Sequence, residues 1–211
     1  MNHFQSLKTL SYVQVRRILR IWIQTIIPPA ITTALYFLIF GELIGSRIGE
    51  MPGYEGLTYL EFMVPGLIML AVITNSYANV ASAFFGAKFQ KAIEEILISP
   101  MANWAILLGF IAGGIARGVL VGVVVVLVSL FFTNFGISNI FLTLFSILLT
   151  STLFSILGLI NGMYAKTFDD ISIVPTFVLT PLIYLGGIFY SIEILSDQWQ
   201  FFSKINPILY I

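Results

Sequence analysis

The charged residues of this chain are widely spaced, and the stretches between them are almost wholly apolar. Uncharged runs extend from Ile21 to Gly41, Phe62 to Ala87, Ile96 to Ala116, Gly118 to Ala165 and Ile171 to Ile192. A hydrocarbon core of about 30 Å is crossed by about 20 apolar residues at a helical rise of roughly 1.5 Å, so each run can span a bilayer. The fourth run is too long for one helix. It breaks at Thr133-Asn134-Phe135-Gly136-Ile137-Ser138-Asn139, a cluster of turn formers. Arg117 interrupts one span and Asn134 ends it. The pattern predicts an all-α polytopic membrane protein with five transmembrane helices, near residues 21 to 42, 62 to 84, 104 to 132, 140 to 165 and 171 to 190.

Composition narrows the chemistry. Only 9% of the 211 residues are charged and 58% are hydrophobic, with a mean hydropathy of +0.99. Ten Lys and Arg balance ten Asp and Glu, so there is no basic excess for binding nucleic acid through its phosphates, and no nucleic-acid partner is expected. Cysteine is absent and His3 is the single histidine, which removes thiol chemistry, disulfides and Cys/His metal sites.

The positions of Lys and Arg set the expected orientation, because cytoplasmic loops retain them. With the N-terminus inside, Lys8, Arg16, Arg17, Arg20, Lys88, Lys91 and Lys166 are cytoplasmic, whereas Arg47 and Lys204 are external. Residues 1 to 20 do not read as a cleaved signal, since the following apolar run exceeds a signal core and no small-residue cleavage site follows. At 100° per residue Phe4, Leu7, Val15 and Ile18 share one side, with Arg16, Arg17 and Arg20 opposite. This is the pattern of an amphipathic helix lying in the headgroup plane, the alternative being a basic flank that fixes topology. Residues 191 to 211 fall outside the cell in this scheme, with Trp199, Phe201 and Phe202 suited to the membrane interface.

Two loops and one set of buried positions are candidates for function. In Phe84 to Asn103, Phe89, Ile93, Ile96 and Leu97 recur at helical spacing beside Lys88, Lys91, Glu94 and Glu95, and Ser99-Pro100 stops the helix. Such an amphipathic helix either packs on its own bundle or docks into a soluble partner. The loop Lys166-Thr167-Phe168-Asp169-Asp170 is short enough only for a tight turn or small contact. Within the spans, Gly109, Gly113, Gly114, Gly118 and Gly122 form overlapping Gly-x-x-x-Gly motifs, and Gly158 pairs with Gly162 likewise. Small residues four apart let membrane helices approach closely. Pro28-Pro29, Pro65, Pro175 and Pro181 permit kinks. Arg117 is costly to bury unpaired, by at least about 2.5 kcal/mol, and Asn75, Asn79 and Asn161 are its candidate partners; a structural or a substrate-binding role fits.

Absent motifs bound the function equally. No phosphate-cradling Gly-x-x-x-x-Gly-Lys-Ser/Thr loop is present, and Gly162-Met-Tyr-Ala-Lys166-Thr167 lacks the glycine before its lysine. The spans carry no carboxylate for proton relay. A pathway-forming subunit driven from elsewhere remains, with a passive channel or non-transporting scaffold as the competing class.

The ordered polar motifs carry a resemblance. Arg20-Ile-Trp-Ile-Gln-Thr-Ile-Ile-Pro-Pro29, Leu35 to Gly41, Ile44 to Gly49, Val64-Pro-Gly-Leu-Ile68, Phe84 to Gln90 with Ile93-Glu-Glu95, Ala165 to Ile171 running into Val174 to Pro181, and Asn206-Pro207 are similar to bacterial ABC-transporter permeases of the ABC-2 type, in particular their YadH-like branch. The resemblance implies a multi-pass inner-membrane exporter subunit that dimerises and pairs with two copies of a separate ABC ATP-binding subunit. ATP and Mg would be held by that partner, and this chain would be no enzyme by itself. It also implies a coupling helix at about 88 to 98, in which Lys88, Phe89, Lys91, Ile93, Glu94, Glu95 and Leu97 meet the ATPase with Asp169 and Asp170 of the second loop. Re-entrant helices over Ile192 to Pro207 would place Trp199, Phe202, Asn206 and Pro207 at an external mouth. Relatives continue through a sixth span, which is missing here, so a C-terminally shortened member is expected.

Overall fold

The computed structural model describes residues 3–45, 56–133, 136 and 139–211. Arg47, together with Asn134, Phe135, Ile137 and Ser138 of the turn cluster, lies outside the described residues. Helix α1 (His3–Arg20) ends at Ile21, whose backbone leaves helical geometry, and α2 (Trp22–Tyr36) follows, continuing as a π-helical stretch over Phe37–Gly45. Pro28 and Pro29 lie inside α2, so the carbonyls of Gln24 and Thr25 lose their helical donors there. Helix α3 (Tyr59–Phe89) is followed by the short α4 (Ala92–Ile98), then by α5 (Asn103–Phe132) and α6 (Ile140–Tyr164).

Four helical segments, Trp22–Gly41, Tyr59–Phe89, Asn103–Phe132 and Ile140–Tyr164, are long and apolar enough to cross a membrane. The fifth predicted stretch is helical from Phe168 to Tyr184, in three pieces: α7 (Phe168–Val174), a π turn over Pro175–Leu179, and α8 (Thr180–Tyr184). Pro181 cannot donate to an α-helical ladder and its ring crowds the carbonyl four residues back. Thr180 N–H therefore bonds Pro175 O in the wider π pattern. The helix stops short of residue 190 because Gly186-Gly187 turns the chain, Gly187 at φ +80°.

The central element is α3, buried on nearly all sides. It begins earlier than the charge pattern indicates because Thr58 and Glu61 form a capping box, Thr58 Oγ1 accepting from Glu61 N–H while Glu61 accepts from Thr58 N–H. Glycines mark where the neighbours close on it. A Cβ at Gly158 would strike the Tyr77 carbonyl, and one at Gly162 would lie 2.9 Å from Ala81 O, so α6 and α3 approach backbone to backbone. On α5, Gly114, Gly118 and Gly122 lie in turn against Val80 and Ser155, Ser76 and Ser151, and Val72 and Ile147. Thus α5 sits in the groove between α3 and α6.

The other edge of α5 holds α1. Leu10 lies over Gly109 and Gln14 over Gly113, a parallel register that continues to the π-helical stretch after α2, where Phe37 stacks on Phe132. Helix α1 is therefore fastened lengthwise to the first half of α5, with Gln14 and Ile18 buried and Phe4 exposed beside Trp104. Arg17 does not join Arg16 and Arg20 on a free polar side; it turns into the bundle.

Candidate docking surface and the arginine cluster

Both short loops close on one end of the bundle. Helix α3 runs through Lys88 and Phe89, and Lys91, in the left-handed region at φ 58°, breaks it before α4. The helical part of the predicted 88-to-98 segment is thus Ala92–Ile98, and Lys88 and Phe89 are the last turn of α3. Of the apolar α4 positions, Ile93 is buried in a cluster with Phe84, Ile106 and Phe110, while Leu97 and Ile98 are exposed. Lys91, Glu94 and Glu95 are exposed as well.

Lys88 does not project outward. Its Nζ donates to Met163 O and Ala165 O, each at 2.8 Å, at the C-terminal end of α6. A cation there meets unpaired carbonyls and the negative end of the helix dipole. The link fastens α3 to the α6–α7 turn. Aromatic rings reinforce it: Phe168 makes edge contacts with Phe85 and Phe89, with centroids 4.9 and 5.0 Å away. Phe89 and Phe168 remain exposed on their outer sides.

Within the turn, Asp170 is occupied locally. Its Oδ2 accepts from the N–H groups of Lys166 (2.8 Å) and Thr167 (3.0 Å), and Asp170 N–H donates back to Thr167 Oγ1. These bonds favour the carboxylate and hold Asp170 below the usual carboxylate range. Asp169 is exposed. The resulting surface presents Phe89, Leu97, Ile98 and Phe168, rimmed by Lys91, Glu94, Glu95 and Asp169. Sequence reasoning missed Ile98 and Phe168; an apolar ring inside the otherwise polar run Lys166 to Asp170 was the available signal.

The second feature is polar and lies deeper. Arg17 Nη2 donates to Asn79 Oδ1 at 3.2 Å, and burial lowers the Arg17 guanidinium from its ordinary value. Among the described residues Arg117 forms no hydrogen bond to Asn75, Asn79 or Asn161: Asn75 donates to Ala71 O, Asn79 serves Arg17, and Asn161 donates to Ile171 O. Arg117 Nε, Asn79 Nδ2 and Gln14 Oε1 are buried without partners. Arg117 also lines a 250 Å³ cavity with Gln24, Pro28, Thr32, Thr74 and Asn75.

At the opposite end, the chain folds back after Gly187. A 3₁₀ turn (Ile192–Ile194) and α9 (Asp197–Ile205) lead to Asn206, whose Nδ2 donates to Leu182 O and whose Oδ1 accepts from Ile208 N–H. Pro207 opens a final 3₁₀ turn that buries Ile208 in the core, and Trp199 and Phe202 are exposed.

The ABC-2 type transporter family profile matches residues 5–211. The chain belongs to the ABC-2 type transporter family. This ABC-2 chain is 54% identical over 209 residues to the inner membrane transport permease YadH of Escherichia coli K12, a match covering 99% of the chain and 80% of that relative. It is 24% identical over 177 residues to nodulation protein J of Bradyrhizobium diazoefficiens (83% of the chain, 66% of the relative) and 26% identical over 172 residues to that of Rhizobium meliloti (81% and 65%). No solved structure matches the ABC-2 chain at a significant level. Family membership and the four apolar helices make it a multi-pass transport permease.

Proposed function

We propose that this permease is the transmembrane subunit of an ATP-driven exporter in the bacterial inner membrane, working as a homodimer with two copies of a separate ATP-binding subunit that holds ATP and Mg. The carrying observation is the surface formed at one end of the bundle, where α4 and the Lys166–Asp170 turn are fastened together through Lys88 and the Phe85, Phe89 and Phe168 rings. In this reading that end is cytoplasmic, in keeping with Lys88, Lys91 and Lys166 clustering there. The broken helix from Phe168 to Tyr184, continued by residues 185 to 190, serves as the fifth span, and Trp199, Phe202, Asn206 and Pro207 lie on the external side.

Mechanically, the surface has exposed apolar contacts for a partner and rigid routes inward. Buried Ile93 ties α4 to the α3–α5 cluster, and Lys88 ties α3 to the end of α6. A displacement of α4 is therefore delivered to three spans together. ATP binding does work only if the partner's two states engage this surface differently. Charge reversal at Glu94 and Glu95, both exposed, should uncouple ATP hydrolysis from transport in proteoliposomes while leaving insertion intact. Unchanged coupling would count against the assignment, and ATP-independent flux would favour a passive channel.

A further inference from the structure

Tyr59 opens α3 and Phe89 ends it, so about 45 Å of helix separates the docking surface from the opposite end of the bundle. There, three aromatic rings from two helical segments meet around Phe189. The Phe189 ring stacks on Phe40 and Tyr184, with centroids 4.9 and 5.6 Å away, and packs at a tilt against Tyr36, 5.6 Å away. Phe189 is itself anchored to the central helix, since the Tyr59 hydroxyl donates to Phe189 O at 2.9 Å. Tyr36 and Tyr184 complete the cluster with a hydrogen bond between their hydroxyls, 3.2 Å long. The backbones of α2 and α8 do not pack along one another, so these side chains are what joins the two segments.

The hydroxyl pair is poised to part. It lies in an exposed setting, with Tyr184 42% exposed, and water competes for both groups. A bond of this kind biases an equilibrium by only about two- to tenfold. The arms that carry it are jointed. Pro28 and Pro29 interrupt α2 two turns before Tyr36, and the π turn Pro175–Leu179 with Pro181 interrupts the helix before Tyr184. Gly186 and Gly187 follow, Gly187 at φ +80°. Each arm can therefore tilt beyond its prolines while its other half stays packed. Next to the pair lies the Arg117 cavity. Gln24, Pro28, Thr32 and Tyr36 recur every four residues on one face of α2 and line its 250 Å³ with Thr74 and Arg117. Tyr36 is thus both a wall of the cavity and half of the bond, and its movement away from Tyr184 removes part of that wall.

We propose that the Tyr36–Tyr184 hydrogen bond is a latch that keeps the Arg117 cavity closed at the end opposite the docking surface, with Phe189 as the fixed post it closes against. This goes beyond the exporter reading and does not rest on it. Because the chain has no cysteine, a single Thr74→Cys reports on the cavity, Thr74 being half-buried. Asn75→Cys, on the same wall, is a second reporter should the first disturb folding. The full chain in lipid nanodiscs, which leave both faces open to reagent, is treated with a charged methanethiosulfonate, and the rate of mass gain is measured. Tyr36→Phe and Tyr184→Phe keep both rings and remove only the bond, and each should raise the rate about two- to tenfold. Since the two hydroxyls serve one bond, the double variant should be no faster than either single one. A cysteine reporter at Ser82, exposed on the half of α3 nearer the docking surface, should react at one rate in every background, which separates release of the latch from general loosening. Cavity rates unchanged in both Phe variants, a further multiplicative gain in the double variant, or a matching rise at the Ser82 reporter would overturn the proposal.

Discussion

The backbone-to-backbone approach of two helices at Gly158 makes the packing account quantitative. An alanine there would drive Cβ into the carbonyl oxygen of Tyr77 and bring it to 3.1 Å from Tyr77 C and Cα. Those are backbone atoms of the most buried helix, so no side-chain rotation relieves the clash. Reaching an ordinary contact requires α3 and α6 to part by about 1 Å, and a gap of 0.5–1 Å forfeits roughly a quarter to a half of each contact along the seam. The expected cost is about 1–3 kcal/mol, in the range of overpacked cores. Gly86→Ala is the internal control. Gly86 lies in α3, and a Cβ added there would meet nothing within 4 Å, so only the gain in helix propensity acts, about 0.5–1 kcal/mol. Unfolding in SDS titrations, followed by the fluorescence of Trp22, Trp104 and Trp199, should separate the two variants by about 1.5–4 kcal/mol. Equal stability would refute the claim that α3 and α6 meet through backbone at Gly158.

Two further outcomes follow from the loop end. Lys88→Met removes both charge-assisted bonds to the α6 carboxyl end and should cost about 1–2 kcal/mol, with faster amide exchange localised to Ala165–Thr167. The Asp170 cap predicts a pH response of fixed sign. Its folded-state pKa is lowered by the Lys166 and Thr167 N–H groups, so its contribution is present above the unfolded value of about 3.9 and is lost as pH falls through the lower folded value. Exchange protection of the Lys166 and Thr167 amides, corrected for intrinsic rates, should stay flat from pH 7 to about 5 and fall only below the ordinary carboxylate range. Thr167→Ala should move the onset of that loss upward.

The apolar runs make the long helices legible because, in a membrane chain, charge marks the boundaries. The third and fourth predicted spans begin and end within a residue of the observed α5 and α6. Where charge misleads, a local motif or a tertiary partner is at work. Glu61 reads as a flank, yet Thr58-x-x-Glu61 is a capping box visible in sequence, and it starts α3 three residues early. Charge alone places Lys88 and Arg17 outward. Their partners, Met163 and Ala165 for one and Asn79 for the other, lie more than 60 residues away in sequence. No periodicity reports such contacts. Asn75, Asn79 and Asn161 are polar positions within spans, as the sequence indicates, but each bonds elsewhere than to Arg117.

The central claim is that the joined surface of α4 and the Lys166–Asp170 turn receives an ATP-binding subunit. Its most direct test is to purify the tagged permease from its native membrane and measure MgATP hydrolysis in the eluate, for the unaltered chain and for Glu94→Lys with Glu95→Lys. The account predicts an ATPase that co-elutes with the unaltered chain and is lost from the charge-reversed one at equal permease yield. An eluate without ATPase activity, or activity retained in full after charge reversal, would contradict it.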